Sequence, residues 1–406
     1  METKKVAEKT VPAGKTRRLF DEDSMCFEFS AEVIGCTPAG NGVQLILDRT
    51  AFFPEGGGQK ADEGIIKDAD GREYRVSDVQ IDENGTIRHF LPDCPEGTEL
   101  TGTVSGTVDS ELRLRRMQNH TGEHIVSGLA HRMFGSNNVG FHLGSEMMID
   151  LDTDLSDEQI ETLETEANRA VRSDVRVTAV YPSKEELEMI DYRSKKEIAG
   201  DIRIVTIEGV DCCACCAPHV KSTGAVGMIK IFDHTRVRGG VRLTVACGMD
   251  ALDRFRAYLG ENGKISRLLS AKPLETAAAV KRQSDELDEL KRKLAGIKKA
   301  EAEKAAAQAE PDGNGNIRVF ADGLEMKQLQ AAALAAMERC SGIAAVFSGN
   351  DEDEKGYNFV MASRGVPMRE KLAEIRTRIP LRGGGDDVMV QGSIKAKKEE
   401  IEKAIF

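Results

Sequence analysis

Two pairs of potential metal ligands, about ninety residues apart, constrain how this 406-residue chain can fold. The first pair is His120 and His124 in His-Thr-Gly-Glu-His, and the second is Cys215 and His219 in Cys-Cys-Ala-Pro-His. Because residues four apart share one face of a helix, His120 and His124 can direct their imidazole nitrogens at one point. One thiolate and three imidazoles are a normal tetrahedral ligand set for zinc. The sequence therefore predicts one Zn²⁺ per chain and a fold that brings both segments together.

The nine cysteines indicate a metal site in a reducing compartment rather than a disulfide framework. Their number is odd, and four of them crowd into the segment 211–216, DCCACC. Spacing favours Cys215 as the ligand. The alternatives within the same cluster, otherwise interpreted as small buried or neighbouring thiols, are Cys212, Cys213 and Cys216.

A different interpretation of the histidine pair is the His-x-x-Glu-His motif of a metalloprotease. In that motif two histidines bind zinc and the glutamate, here Glu123, activates water. This interpretation expects a carboxylate as the third ligand and leaves Cys215 and His219 without a role. The metalloprotease is therefore the less favoured alternative.

Charge and hydropathy limit the class of protein. A formal net charge of −12 disfavours a protein that coats nucleic acid nonspecifically, but it allows a local basic patch that binds one RNA. The sequence has neither a signal-peptide pattern nor an apolar run of about 18 residues, the length a membrane span requires. We expect a soluble cytoplasmic protein without membrane contact.

The N-terminal quarter is predicted to contain a small antiparallel β-barrel. Residues 1–20 have too few apolar side chains to offset the entropy of ordering, and are predicted to be a disordered lead-in. Residues 21–109 contain short alternating runs, such as 42–48 and 100–108, separated by turn pairs. A glycine-rich loop lies within this predicted barrel domain.

The hydrophobic period becomes helical at Ser110 and stops at Gly135, and we assign residues 110–262 to a zinc-binding domain. Ser156 and Gln159 have the spacing of a capping box for a second helix. The helices and strands alternate without the regular spacing of a doubly wound sheet, so the predicted fold class is α+β. The strands predicted in this domain are 147–151, 175–181, 202–207 and 241–247.

Residues 263–310 are predicted to form one long helix with coiled-coil character. Val280, Leu287 and Leu294 are seven residues apart, as are Gln283, Leu290 and Ile297, so both seam positions of a heptad can be assigned. A hairpin packing or a short dimeric coil fits the pattern equally well. Residues 311–406 are predicted to form a compact α/β domain with a glycine run at 383–385.

The segment 48–59, DRTAFFPEGGGQ, contains three consecutive glycines. Glycine permits positive φ and lets backbone N–H groups approach a ligand closely. The segment lacks the Lys and Ser/Thr of a phosphate-binding P-loop. A ligand-binding loop and a tight hairpin are both compatible with it.

Five segments together resemble the editing half of alanyl-tRNA synthetase, whose stand-alone form is the AlaX family. They are DRTAFFPEGGGQKADEG (48–64), NHTGEHIVSGL (119–129), VGFHLGSE (139–146), CCAPHV (215–220) and RVRGGVRLTVACG (236–248). A sixth, LRGGGDDVMVQGS (381–393), resembles the glycine-rich block of the synthetase's C-terminal DHHA1 domain. The resemblance covers about residues 25–406 and fits the long form of AlaX.

The resemblance implies an aminoacyl-tRNA deacylase that hydrolyses the ester of misacylated tRNA(Ala), carrying serine or glycine. It does not imply ATP-dependent ligase activity. Four protein ligands fill the coordination sphere of a zinc ion, as they do in structural sites. Whether the metal is catalytic or structural therefore stays open. The alternative is a noncatalytic, zinc-stabilised protein that binds tRNA or dimerises. A homodimer through the long helix or the C-terminal domain is a further expectation.

Other residues receive candidate roles once this substrate is assumed. Selecting serine over alanine needs a polar partner for one hydroxyl, and Gln59 and Thr50 flank the glycine loop, although Thr50 can instead be a strand or turn hydroxyl. Glu123 is a candidate general base or a helix-surface carboxylate, and His142 is a substrate contact or a core histidine. The remaining candidates are Gly56, Gly57, Gly58 and Asn119 for substrate, and Arg113, Arg115, Arg116, Arg382, Gly383, Gly384 and Gly385 for tRNA.

Overall fold

The computed structural model describes residues 16–95, 97–144, 146–194, 202–352 and 356–406. By its internal contacts the chain divides into two compact units, residues 1–261 and 262–406. Both units combine helices with mostly antiparallel strands, which confirms the α+β class. Among the described residues, no helix has the length and hydropathy needed to cross a membrane.

The described residues at the start of the first unit contain nine strands and one short helix, and seven of the strands form one antiparallel sheet. The elements are β1 (Arg17–Arg18), α1 (Leu19–Glu22), β2 (Glu28–Ala39), β3 (Gly42–Leu47), β4 (Arg49–Thr50), β5 (Gly64–Lys67), β6 (Glu73–Val76), β7 (Asp78–Ile81), β8 (Ile87–Leu91) and β9 (Thr103–Val108). The strand order is β6-β5-β9-β2-β3-β8-β7, and β1 pairs with β4 separately. Alternate residues of β8 and β9 are buried, as expected for a sheet with one apolar face.

Strands β6 and β7 are the two ends of this order, although only Ser77 separates them in the chain. No ladder joins β6 to β7 within the described residues, so closure into the predicted barrel is not confirmed. The core of the sheet includes Phe20, which is 2% exposed. Residues 16–20 of the predicted lead-in thus belong to the fold, and residues 1–15 lie outside the described residues.

Helix α2 (Ser110–Phe134) begins and ends where its sequence predicts. Asp109 caps it by accepting a hydrogen bond from the backbone N–H of Leu112 at 3.0 Å, and Gly135 ends it with a φ of 66°. Every residue from Met117 to Ala130 is buried. The helix therefore carries its polar residues through the interior of the unit.

The rest of the first unit contains two sheets and further helices, and the last of these helices, α5, continues past the unit's boundary at residue 261. The elements are β10 (Asn138–Leu143), β11 (Met147–Leu151), α3 (Asp157–Arg172), β12 (Val177–Val180), α4 (Lys184–Leu187), β13 (Ile204–Ile207), β14 (Asp211–Ala214), β15 (Ile229–Val237), β16 (Gly240–Cys247) and α5 (Gly248–Leu268). The sheet orders are β10-β11-β16-β15 and β12-β13-β14, both antiparallel. The predicted capping box at Ser156 and Gln159 is present. Strands β10, β14 and β15 were not predicted.

The second unit contains one five-stranded sheet covered by helices. Its elements are α6 (Thr276–Gln308), β17 (Ile317–Ala321), α7 (Met326–Met337), β18 (Ala344–Gly349), β19 (Tyr357–Ala362), α8 (Met368–Arg376), β20 (Leu381–Gly385), β21 (Met389–Ile394) and α9 (Lys398–Ile405). The order is β17-β18-β19-β21-β20, with only the β17–β18 pair parallel among these strands. The DHHA1 assignment of this unit still rests on sequence resemblance alone.

The single helix predicted over residues 263–310 is interrupted. Helix α5 ends at Leu268, a 3₁₀ turn covers Pro273–Glu275, and α6 begins at Thr276. Lys272 has an extended backbone, with φ −70° and ψ 152°, because a residue before proline is disfavoured in the helical region. Pro273 therefore breaks the predicted helix, and only α6 carries the heptad pattern.

Candidate metal and substrate site

The four predicted metal ligands come together inside the first unit. His120 and His124 lie on α2, and Cys215 and His219 follow β14. The four ligand atoms all lie within 4.8 Å of one another. The Cys215 sulfur is 3.5 Å from His120 Nε2 and 3.4 Å from His219 Nε2.

These separations fit a tetrahedral zinc ion. With zinc–sulfur and zinc–nitrogen bonds of about 2.3 and 2.05 Å, two such ligands at a tetrahedral angle are about 3.6 Å apart. The three histidines are also almost completely buried, with 2 to 4% of their surface exposed. Three imidazoles and one sulfur gathered in a buried space are a donor set that can hold zinc.

Each imidazole is held through its Nδ1 by an acceptor of this chain. The pairs are His120 with Gln59 Oε1 at 3.0 Å, His219 with Thr121 Oγ1 at 3.1 Å, and His124 with Asp211 Oδ2 at 3.0 Å. A proton on Nδ1 leaves the Nε2 lone pair for a metal, and such outer contacts fix ring orientation. All three rings are therefore set to ligate through Nε2.

Asp211 is itself fixed by an arginine. Arg193 donates from Nε to Asp211 Oδ1 at 2.8 Å and from Nη2 to Oδ2 at 2.9 Å. Burial acts to lower the pKa of His124 and to raise that of Asp211, but their mutual hydrogen bond raises the first and lowers the second. His124 thus lies in a field that favours positive charge, which a cation at its Nε2 would satisfy.

Electrostatics separates Cys215 from its neighbours in the cysteine cluster. Although burial acts to raise the pKa of Cys215, the imidazoles of His120 and His219 lower it well below the usual thiol range. The Cys216 sulfur lies against the glycine loop, and desolvation raises its pKa to about 11. Since the thiolate is the ligand form of cysteine, the structure favours Cys215.

The glycine loop is a tight two-residue turn between Gly56 and Gln59. Gly56 N donates to Gln59 O and Gln59 N donates to Gly56 O, both at 3.0 Å. The central Gly57 and Gly58 have φ of 60° and 80°, a conformation that residues with a Cβ rarely adopt. A Cβ on Gly58 would also lie 2.8 Å from the Phe141 ring. The backbone of this segment therefore forms the tight hairpin that was one of the two interpretations. The turn places the Gln59 side chain beside His120.

Gln59 has one unused donor in this buried site. Its side chain is 1% exposed, its Oε1 faces His120, and its Nε2 has no hydrogen-bond partner among the residues that the structure describes. A buried donor without a partner costs about 1 to 3 kcal/mol. Such an amide is placed to donate to a bound substrate.

Glu123 is buried in α2 rather than lying on a helix surface. It is 1% exposed, and its Oε1 accepts hydrogen bonds from Ser127 Oγ at 2.7 Å and from Asn138 Nδ2. Its Oε2 lies 3.9 Å from His124 Nε2. A carboxylate is therefore held at the edge of the metal-ligand cluster.

Three other predicted substrate residues are placed differently. The Thr50 hydroxyl is buried and lies 2.8 Å from His89 Nε2. Asn119 is engaged by the fold, since its Oδ1 accepts from Cys247 N at 2.9 Å and its Nδ2 donates to Arg115 O at 3.1 Å. His142 is exposed on β10, which excludes the core-histidine alternative. Substrate roles for these three stay predictions.

The predicted phosphate-contacting arginines of α2 need a correction at Arg113. Its side chain is fully buried, and its Nε donates to Asp62 Oδ1 at 2.9 Å and Oδ2 at 2.8 Å. Arg113 is thus a structural residue that cannot reach a phosphate in this fold. Arg115 forms ion pairs with Asp250, Asp253 and Glu111, and Arg116 forms one with Glu63. Part of each guanidinium group is therefore already bound to carboxylates.

The predicted glycine run forms β20, where the backbones of two strands approach closely. A Cβ on Gly383 would lie 2.2 Å from Gln391 O, so this glycine is required by the pairing with β21. Arg369 Nε donates to Gly385 O at 2.9 Å, and Arg376 donates to Gly383 O. Arg382 is exposed and makes no ion pair with any described residue. This edge of the sheet therefore presents several guanidinium groups.

Sequence reasoning missed four of the residues that surround the ligands. Thr121 and Asp211 stand inside the segments that were singled out, so a search for acceptors next to the ligands would have found them. The other two, Phe141 and Arg193, carry no local sequence signal. The ring centroid of Phe141 is 5.0 Å from that of His120, and Arg193 contacts Asp211. Only the fold places them at the site.

Comparisons with known proteins find families and a solved structure similar to parts of this chain. The family model for class II (A) tRNA synthetases matches residues 24–112, and the model for the second additional domain of threonyl and alanyl tRNA synthetases matches residues 202–243. The second match contains Cys215 and His219. The C-Ala domain of Aquifex aeolicus alanyl-tRNA synthetase, a solved structure, is 21% identical and covers 23% of this chain and 96% of that domain, with a TM-score of 0.20.

Full-length relatives give the assignment. The alanine–tRNA ligase of Methanopyrus kandleri is 31% identical over 406 residues, 93% of this chain but only 42% of the ligase. The chain thus spans about two fifths of that enzyme. The alanyl-tRNA editing protein AlaX-L of Pyrococcus horikoshii is 30% identical over 397 residues, 95% of this chain and 96% of that protein. By this match along nearly the whole of both sequences, the chain belongs to the AlaX-L family of alanyl-tRNA editing proteins.

Proposed function

We propose that this protein hydrolyses the ester bond of misacylated tRNA(Ala), foremost Ser-tRNA(Ala) and also Gly-tRNA(Ala). Family membership supports the substrate class. The observation that carries the proposal is the buried Gln59 amide, which lies beside the four metal ligands with a donor that no described residue uses. A deacylase needs such a donor for the ester oxygen or for a side-chain hydroxyl.

Zinc, one ion per chain, would be held by His120, His124, Cys215 and His219. When bound, and with a further coordination position open, it would supply a Lewis acid for the ester carbonyl or a binding point for the substrate's amino or hydroxyl group. The chain's own contribution begins with Gln59, whose Nε2 donates to the acyl group. Glu123 Oε2, fixed through the contacts of Oε1 with Ser127 and Asn138, accepts a proton from the attacking water.

Selection against alanine is assigned to Gln59 rather than Thr50. A size filter cannot separate serine from alanine strongly, whereas a buried group that hydrogen-bonds the hydroxyl can. The Thr50 hydroxyl is already engaged with His89, whereas Gln59 Nε2 has no partner among the described residues. Alanine would leave this amide unsatisfied, so Ala-tRNA(Ala) is expected to be the poorer substrate.

Contact with the tRNA backbone is assigned to the edge strand β20 of the second unit. Arg382 is exposed there beside Gly383, Gly384 and Gly385, and arginine binds phosphate in a bidentate way. Arg115 and Arg116 are secondary candidates, because each would have to exchange a carboxylate partner for a phosphate. The net charge of −12 makes such local contacts necessary.

The alternative is a noncatalytic tRNA-binding protein. One feature favours it, since four protein ligands fill the tetrahedral coordination of zinc and leave no open position. In that case the metal would only fix α2 against the loop after β14. The deacylase assay below separates the two functions.

The test is deacylation of Ser-, Gly- and Ala-tRNA(Ala) by the purified, zinc-containing protein. We expect faster hydrolysis of Ser-tRNA(Ala) than of Ala-tRNA(Ala), and loss of activity in Glu123→Gln with zinc retained. Glu188→Gln, an exposed glutamate elsewhere in the same unit, is the matched control. Binding of intact tRNA without hydrolysis of any of the three esters would establish the noncatalytic alternative.

A further inference from the structure

Arg203 lies just before β13 and is buried although it carries a charge, since its side chain is only 5% exposed. Its Nη1 donates hydrogen bonds to the backbone carbonyl oxygens of Cys215 at 3.1 Å and of Ala217 at 2.8 Å. Its own backbone oxygen accepts a hydrogen bond from Cys215 N at 3.0 Å. One residue therefore holds both backbone polar groups of a predicted metal ligand.

These contacts limit the direction in which the Cys215 side chain can point. Residues 215–217 lie outside the helices and strands, so contacts with other segments must set their conformation. Because peptide groups are planar, fixing the N–H and the C=O of a residue also fixes the direction of its Cα–Cβ bond. The Cys215 sulfur then lies 3.4 and 3.5 Å from Nε2 of two of the ligand histidines.

Asp21 of helix α1 supplies a negative charge beside the Arg203 guanidinium. Its Oδ1 lies 3.4 Å from Arg203 Nε, and its side chain is 11% exposed. The Tyr181 hydroxyl donates a hydrogen bond to Asp21 Oδ2 at 3.0 Å and so fixes the carboxylate in turn. The same short helix packs with the loop, because Phe20 and Ala217 belong to one buried apolar cluster. A buried guanidinium that loses its carboxylate is destabilised, so Asp21 holds Arg203 in its place.

We propose that Arg203 and Asp21 are positioning residues of the metal-binding loop. Arg203 fixes the backbone of 215–217 so that the Cys215 sulfur meets the imidazoles, and Asp21 fixes Arg203. Neither residue is a ligand, and each acts through the next one. Contacts behind metal ligands raise the affinity of a site because they orient the ligands before the metal binds. The proposal rests on the four-ligand metal site proposed above and not on the deacylation chemistry. It makes metal affinity depend on α1, a helix that carries no predicted ligand.

The first experiment measures the zinc affinity of the full-length protein by competition with a chromophoric chelator. Arg203→Lys should lower the affinity by about 10 to 100-fold, because lysine keeps the charge but lacks the planar fork that reaches two carbonyls and a carboxylate. Asp21→Asn should lower it by about tenfold, because the acceptor keeps its shape and loses its charge. Asp23→Asn is the matched control. Asp23 follows α1 and pairs with Lys221 at 2.9 Å, but both side chains are exposed, so the affinity should not change.

The second experiment separates a positioning role from a merely structural one. Cobalt(II), which accepts the same nitrogen and sulfur ligands, reports a bound thiolate through its sulfur-to-metal charge-transfer absorption. At saturating Co²⁺ we expect the full band in the wild-type protein and in Asp23→Asn, and a weaker band in Asp21→Asn and Arg203→Lys, with the helix content of Asp21→Asn unchanged by circular dichroism.

Two results would overturn the proposal, and they are distinguishable. If Asp21→Asn and Arg203→Lys keep both the wild-type zinc affinity and the wild-type band, the two residues do not position the loop, and the metal site itself stands. If the wild-type protein shows no thiolate band, Cys215 is not a ligand, and the metal site is wrong together with this proposal. Should Arg203→Lys fail to fold, Asp21→Asn alone decides the question.

Discussion

The long helices α2 and α6 both carry side chains that recur along one helical face, but the middle of α2 is buried and the middle of α6 is exposed. In α2, of 25 residues, the segment 117–130 is buried throughout, whereas in α6, of 33 residues, the segment 281–294 is exposed throughout. Both were identified from side chains that recur on one helical face. The difference teaches that helical spacing predicts which residues share a face, and not what that face contacts.

The polar residues of the two helices differ in the same way. In α2 each buried polar side chain is tied to another element, as Glu123 is to Asn138 of β10 and Arg113 is to Asp62. In α6 the ion pairs with other described residues, such as that of Lys293 with Glu289, are exposed, and each contributes about 0 to 1 kcal/mol. Substitutions in and around α2 should therefore change metal content and chemistry, and those in α6 should not.

The largest effect is expected at the metal ligands of α2 and its facing loop. His120→Ala and Cys215→Ser should lower zinc from about one ion per chain to near zero after dialysis, and abolish deacylation with it, because each removes one of four ligands. Zinc is measured by elemental analysis. Cys216→Ser, at the neighbouring cysteine whose sulfur lies against the glycine loop, is the matched control and should retain the ion. Full zinc content in both ligand variants would contradict the assigned site.

The next effect is expected at Gln59, which contacts α2 through His120. Gln59→Ala should lower kcat/KM for Ser-tRNA(Ala) by about 30 to 150-fold, corresponding to about 2 to 3 kcal/mol, while zinc stays bound. Steady-state kinetics on Ser- and Ala-tRNA(Ala) measures it. Gln80→Ala, at an exposed glutamine of β7, should have no effect. An unchanged ratio between the two substrates would place the discrimination elsewhere.

A smaller effect is expected at Asp211, which holds His124 of α2 from β14. Asp211→Asn should weaken zinc affinity by about 10 to 100-fold, because the acceptor that orients the imidazole loses its charge. Competition with a chromophoric chelator measures the affinity. Asp150→Asn is the control, since Asp150 pairs with Arg242 and not with a ligand. Equal zinc affinity in both variants would show that the contact is only structural.

The smallest effect on the chemistry is expected from removing α6 and everything after it. A chain ending at Leu268 should keep its zinc, because all four ligands lie in the first unit. Loss of the proposed phosphate contacts should lower kcat/KM for Ser-tRNA(Ala) by about tenfold and weaken its dependence on salt. Full activity at subsaturating substrate would show that the second unit has no role in substrate capture.

Local patterns predicted local structure well. The start and end of α2, the capping box of α3 and the strand Met147–Leu151 follow from caps and periodicity. The strand predicted over 175–181 is shorter, at Val177–Val180, and the strand predicted over 202–207 begins at Ile204. The long helix failed at Pro273, where a proline outweighs the propensity of its neighbours.

The sequence by itself determined which residues could form the site, and the tertiary structure decided how they are used. The spacing of His120 and His124 and that of Cys215 and His219 are properties of the chain. Whether Arg113 faces a phosphate or Asp62, and whether Gln59 is engaged, depends on segments that are far apart in sequence. The physical reason is range: helix periodicity and capping act over a few residues, whereas burial and pairing are set by packing between distant elements.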